Sequence, residues 1–395
     1  MKIAFLTSGG NAPCLNSSIG RLLSNFGKID QDVCAIGYLN GFAGLLKGNS
    51  VSLDIEMTSQ NFSPFYTTGG SFIGNSRVKL TNVLDCLDKN LVKEGQVPLE
   101  IAANQLIADK IDILFTIGGD DTNTTARDLR NYIQSKNIKI TVVGIPKTID
   151  NDIYPVKRSL GAHTAAGEGA KFFKNIVSEN YMGERHLIIH EVMGRNSGWL
   201  TAYTANEYYN NLDKQKSITP DSVDSRRYDL HGIYVPERII NINSEINRLA
   251  KMIDKIGCLN LFVCEGAFLD EISEEHKSNG NSIETDAFGH AKLDSINVAK
   301  WFSLSISKEI DFDRVLIQKS GYYSRSAAPN SDDLEYIFKV CDFAFKCALK
   351  SKSGLAGEDE RTGELSCIDF DLIKGDKGLD TSSKWFLDLI DRIEC

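Results

Sequence analysis

The 395-residue sequence predicts an α/β protein with mainly parallel sheets, in a chain long enough for two domains. Three observations carry the prediction. Runs of β-branched and aliphatic residues recur along the chain, they are near-continuously apolar rather than alternating, and each leads through glycine or polar residues into a helical pattern. A strand that is apolar on both faces needs cover on both faces, and parallel sheets between helix layers supply it.

The predicted strands are KIAFLTS at 2–8, IDILFTI at 111–117, IKITVVGI at 138–145, RHLIIHEV at 185–192, CLNLFVCE at 258–265 and RVLIQKS at 314–320. Helical periodicity between them places helices at 17–26, 98–110, 122–135, 161–179, 198–209, 243–256 and 331–350. The polar stretches 206–232 and 270–290 read as surface elaboration, and the segment from Ser351 as a loop-rich peripheral tail. The expected domains are 1–153, completed by about 295–330, then 154–294, with 331–395 as a C-terminal helix and tail.

Composition narrows the function classes. A net charge of -9 disfavours a nucleic-acid partner, because binding a phosphate backbone needs clustered Lys and Arg. The nine cysteines include no C-x-x-C pair, so free thiols in a reducing compartment are expected rather than a zinc site. The apolar run at the N-terminus is too short for a signal peptide and no run reaches 18 apolar residues, so the expected setting is the cytoplasm, with no membrane contact.

In parallel sheets ligands bind beyond the carboxyl ends of the strands. Those ends read GGNAP, GGDDT, PKTIDND, MGRNSG, EGAF and GYYSR, so glycine, acid and arginine gather where a site would form. Gly9 and Gly10 make either a plain tight turn or a phosphate cradle at a helix start. Asp120 and Asp121 either complement a helix dipole or hold Mg2+, whose hard oxygen ligands they match. In PKTIDND, Asp150 is the candidate general base for a hydroxyl attacking a phosphoryl donor, near Lys147 and Asp152. Arg195 in MGRNSG and Glu265 in EGAF suit phosphate or sugar hydroxyls, Tyr322 and Arg325 suit a distal phosphate, and Arg77 is a further phosphate ligand. Neither a P-loop nor a G-x-G-x-x-G fingerprint is present.

Taken in order, SGGNAPCLN, GGSFIGNSR, GGDDTNTTA, PKTIDND, MGRNSGWLTAYTA, EGAF and GYYSRSAAP resemble the phosphofructokinase family from the first strand to about residue 350, and within it the pyrophosphate-dependent branch. The resemblance implies two Rossmann-like three-layer domains with the active site in the cleft between them. It implies phosphoryl transfer from pyrophosphate to the 1-hydroxyl of fructose 6-phosphate, with Mg2+ as cofactor and a homodimer or homotetramer as the assembly. Asp150 would be the base, and Asp120 and Asp152 would serve the metal. Gly9, Gly10, Arg77 and Lys147 would face the diphosphate. Thr148, Ile149, Asp150, Met193, Gly194, Arg195, Glu265, Tyr322, Tyr323, Ser324 and Arg325 would contact the sugar phosphate. Arg158 would reach a neighbouring subunit's site.

The same resemblance gives Asp121 and Lys147 a catalytic-site role in choosing the donor. ATP-dependent members carry glycine where Asp121 stands and a small residue where Lys147 stands, so the carboxylate would occupy the room of a nucleotide's α-phosphate while the ammonium favours the shorter donor. These two residues weigh against an ATP-dependent member, and Asp150 against a non-catalytic sugar-phosphate-binding subunit. Asn11 and Cys14 depart from the aspartate and glycine that many ATP-dependent members carry.

Overall fold

The computed structural model describes residues 1–29, 32–55, 62–179, 184–212, 216–217, 224–278, 296–375 and 377–394. The chain forms two compact units, residues 1–164 with 325–377, and residues 165–324 with 378–395. Residues up to 324 of the segment 295–330 therefore lie with the second unit, and 331–377 with the first.

The first unit is built on an eight-stranded sheet. Its strands are β1 (Lys2–Ser8), β2 (Cys34–Tyr38), β3 (Ser50–Leu53), β4 (Asn75–Ser76), β5 (Ile113–Gly118) and β6 (Thr141–Pro146). The others, β11 (Gly354–Asp359) and β12 (Glu364–Ile368), come from the C-terminal part of the chain. The order is β12-β11-β6-β5-β1-β2-β3, with β4 pairing the end of β1. The β1, β5 and β6 pairings are parallel, and only β3 and β12 at the edges run antiparallel to their neighbours. Every residue of β5 and β6 is buried, as the unbroken apolar runs require. Helices Leu15–Phe26 and Ser331–Leu349 pack on one another, with Phe26 edge-on to Phe345.

The second unit holds a four-stranded parallel sheet of β7 (His186–Val192), β8 (Gly232–Tyr234), β9 (Cys258–Cys264) and β10 (Arg314–Lys319), ordered β10-β7-β9-β8. Phe173, Phe262, Tyr234 and Phe302 fill its core, with His190 stacked on Phe173 at 5.3 Å.

All six strands expected from apolar runs form, and so do the seven helices, within a few residues of their predicted ends. The tail is the correction. GLAGED and ELSCI carry glycine and polar residues and read as loop, yet β11 lies on β6 and is almost wholly buried, so the tail extends the first sheet. Parallel pairing to β6 supplies the burial that the local sequence does not advertise. The polar stretch at 206–232 contains a 3-10 turn at Ser225–Tyr228 and the start of β8, and helix Leu269–Ser278 opens the stretch at 270–290. Residues 213–215, 218–223 and 279–290 of those stretches lie outside the described ones.

Candidate functional site

The first unit gathers the donor-side candidates at the carboxyl ends of β1, β5 and β6. Gly9 leaves β1 at φ +84°, a conformation open to glycine, and its N–H donates to Ser76 O (3.0 Å). Because β4 pairs with the end of β1, Arg77 follows beside this turn. Lys147 leaves β6 and donates from Nζ to Gly10 O at 2.7 Å. A Cβ built on Gly9 would lie 3.1 Å from Lys147 Nζ, and one on Gly10 would lie 3.6 Å from Arg325 Nη1 and 4.0 Å from Arg77 Nη2. Three cationic side chains thus converge on one glycine turn whose own backbone leaves no side chain in the way.

Lys147 is only 4% exposed, and burial pushes its ammonium down to about 8, against the pull of Asp150 and Asp152. A buried ammonium held this close to neutrality gains charge stabilisation whenever an anion arrives. Beside it Asp150 takes its backbone position from Thr148, whose Oγ1 accepts the Asp150 N–H at 3.2 Å. Ile149 is buried and can offer only its backbone to a ligand.

The acids of GGDDT differ from the reading in one respect: the helix begins at Asp120 itself, so both lie in its first turn rather than before it. At this helix start Asn123 donates from Nδ2 to Gly118 O (2.9 Å) and Gly119 O (2.8 Å), tying the end of β5 to the first turn. Asp120 is pushed up to about 6, first by burial and then by the nearby carboxylates of Asp121 and Asp152. Such crowding of like charge is relieved by a cation, so the donor set fits Mg2+. Among the described residues no three His, Cys, Asp or Glu side chains cluster to cage a metal. Asp121 pairs with Lys79 at 2.5 Å, its side chain 67% exposed. The sequence reading missed Lys79, which lies 42 residues away from its partner and two residues past the GGSFIGNSR segment.

The second unit gathers the sugar-side candidates by interlocking glycines. Gly194 has φ +143°, and its N–H donates to Glu265 Oε1 at 3.1 Å. A Cβ on Gly266 would strike the Arg195 carbonyl, and one on Gly321 would lie 2.7 Å from Met193 Sδ. MGR, EGA and GYYSR therefore meet only because these positions carry no side chain. Burial raises the Glu265 carboxyl above its ordinary value, while the Gly194 N–H and Arg195 oppose the rise.

The short helix Gly321–Arg325 presents Tyr322 and Tyr323 outward, both exposed, and turns Ser324 inward, where it is 3% exposed. Ser324 thus lies among the packing residues rather than with the tyrosines. Ser320, which precedes this helix, is fixed by His190 Nε2 at 2.8 Å; burial lowers that histidine to about 3, so it is neutral.

Arg158 does not reach outward. It bonds Asp332 at 2.6 Å and Asp333 at 2.7 Å and lies over the Tyr336 ring. Asp333 is fully buried, so releasing Arg158 toward another subunit would leave its carboxylate with the Thr164 N–H at 2.7 Å but without a countercharge. No local sequence signal marks this pair, whose members lie 175 residues apart.

Parallel sheets whose strand ends carry a cationic glycine turn and paired carboxylates define a class of α/β proteins fitted to phosphoryl groups. Within that class, the family model for phosphofructokinase matches residues 2–333, and the chain belongs to that family. It is 47% identical over 390 residues to the pyrophosphate–fructose 6-phosphate 1-phosphotransferase of Methylotuvimicrobium alcaliphilum, covering 98% of this chain and 95% of that one. It is 46% identical to the protein of the same name from Methylomonas methanica, covering 99% and 96%. A solved pyrophosphate-dependent phosphofructokinase from Marinobacter aquaeolei has the same fold, with TM-score 0.70 at 18% identity and coverage of 98% and 91%. Among the described residues no helix is long and apolar enough to cross a membrane.

Proposed function

We propose that the protein reversibly transfers a phosphoryl group from pyrophosphate to the 1-hydroxyl of fructose 6-phosphate, in glycolysis or its reversal. The observation that carries the donor side is the convergence of Lys147 and Arg77 on the Gly9–Gly10 turn. High identity along nearly the whole chain to relatives named for this activity supports the choice of reaction.

Asp120 and Asp152 would hold Mg2+, which when bound offsets phosphate charge and makes phosphorus more electrophilic. Asp150 would accept the proton of the sugar 1-hydroxyl as its oxygen attacks in line. Lys147, with Arg77, would orient the diphosphate and stabilise the charge that builds on the departing phosphate. Thr148, Ile149, Met193, Gly194, Arg195, Glu265, Tyr322, Tyr323, Ser324 and Arg325 remain the proposed sugar-phosphate contacts, with Ser324 and Ile149 limited to backbone or packing roles by their burial. The same reading carries a cytoplasmic homodimer or homotetramer.

Donor choice would rest on Asp121 and Lys147. A full charge repulsion of a nucleotide's α-phosphate would be worth about 4 kcal/mol at 4 Å and an effective dielectric of 20. Lys79 neutralises part of the Asp121 charge, so the bulk of the side chain does more of the excluding. The test is a Mg2+-dependent assay with fructose 6-phosphate and either pyrophosphate or ATP. Turnover with pyrophosphate alone is expected, and Asp121→Gly combined with Lys147→Gly should begin to use ATP. Robust turnover of the unsubstituted protein with ATP alone overturns the assignment.

A further inference from the structure

The tail beyond residue 350 lies outside the matched span of the family model and carries no motif, yet part of it touches the acids proposed for the metal. Lys374 forms an antiparallel bridge with Tyr154, its carbonyl accepting from Tyr154 N at 2.9 Å and its N–H donating to Tyr154 O at 3.1 Å. Lys377 donates from its backbone N–H to Asp152 O at 3.2 Å. Its Nζ reaches Val156 O at 2.6 Å and Lys157 O at 3.1 Å and pairs with Glu360 at 2.7 Å. Between these anchors a Cβ built on Gly375 would lie 2.7 Å from Asp120 Oδ2 and 3.4 Å from its Cγ.

A heavy atom at 2.7 Å from a carboxylate oxygen is inside van der Waals contact, so any side chain at 375 would displace the Asp120 carboxylate or the strap itself. The strap has little freedom to retreat, being held on both sides of Gly375 by bonds to the segment that follows Asp152. Asp120 lies in the first turn of its helix, so its backbone is held and its carboxylate is the group that would give way. We infer that Gly375 is a positioning residue: its bare backbone walls one side of the Asp120 carboxylate and sets the direction in which that carboxylate meets a divalent cation. The inference rests on the reading of Asp120 as a metal ligand.

The consequence is that the tail acts as an outer shell of the metal site, where substitutions commonly weaken metal binding by about tenfold or more. The experiment uses the full chain with pyrophosphate present and Mn2+ as a spin probe, titrated by electron paramagnetic resonance. Gly375→Ala should weaken Mn2+ binding about tenfold, while the KM for fructose 6-phosphate stays within about twofold. Gly378→Ala, in the same tail but facing Glu237, should leave Mn2+ binding unchanged.

Unchanged Mn2+ affinity in Gly375→Ala overturns the inference, as does an equal loss in Gly378→Ala, which would mean general loosening of the tail. Asp120→Asn separates the two levels. If it weakens Mn2+ binding and Gly375→Ala does not, the positioning role alone fails; if it leaves binding intact, the metal reading fails and the inference with it. Should Gly375→Ala not fold, Asp120→Ala is added to remove the carboxylate: recovery of a cooperative melt supports the close approach, and continued failure to fold overturns it.

Discussion

The loops proposed for the donor, in the first unit, and those proposed for the sugar, in the second, are assembled by different forces. In the first, burial and charge are in tension: burial takes Lys147 down to about 8 against Asp150 and Asp152, and burial with the neighbouring acids takes Asp120 up to about 6. In the second, the loops are fitted by shape, with Gly194, Gly266 and Gly321 each admitting a neighbour too close for a side chain. The difference teaches that a substitution should speak through charge and pH in the first unit and through packing in the second.

The largest effect expected is from Asp150→Asn. Loss of the base should lower kcat by about a thousandfold with KM values nearly unchanged, measured under saturating substrates. A loss under about tenfold would remove the base from the charge-built half. Lys147→Met comes next, raising the KM for pyrophosphate by about thirtyfold to a hundredfold, as loss of a charged hydrogen-bonding partner implies, and sparing the KM for the sugar phosphate. In the unsubstituted protein, pyrophosphate affinity should decline as pH rises through about 8, because only the protonated ammonium attracts the donor; a pH-independent KM above 8 would break the assignment.

Asp120 supplies a test with the opposite sign. A metal ligand must be ionised, so the apparent Mg2+ affinity should fall by about tenfold per pH unit once pH drops below about 6. Since Asp121 is the first carboxylate holding that value up, Asp121→Asn should move the fall to lower pH; no movement would show that burial acts alone. Folding stability runs the other way with pH, since a carboxyl raised in the folded state disfavours ionisation there and costs stability as pH climbs from about 4 through 6. The smallest effect belongs to the packing-built half. Gly266→Ala should destabilise by about 1–3 kcal/mol, seen as a lower melting temperature, and raise the KM for fructose 6-phosphate without shifting any pH limb. A shifted limb would erase the contrast between the halves.

The sequence by itself determined the six apolar strands, the glycine turns that end them and the chemistry-bearing residues there, because burial on both faces and tight turns write themselves in consecutive residues. Order of motifs was enough to suggest the family. Only the tertiary structure decided which distant groups meet. Lys79 comes to Asp121, Arg158 is retained by Asp332 and Asp333, and Gly375 lies against Asp120. Likewise β11, glycine-rich and unremarked in sequence, becomes a buried strand because β6 leaves it an open ladder. Such pairings depend on chain crossings tens to hundreds of residues long, where no local period or spacing records the partner, and the energy that selects them exists only once both sides are folded.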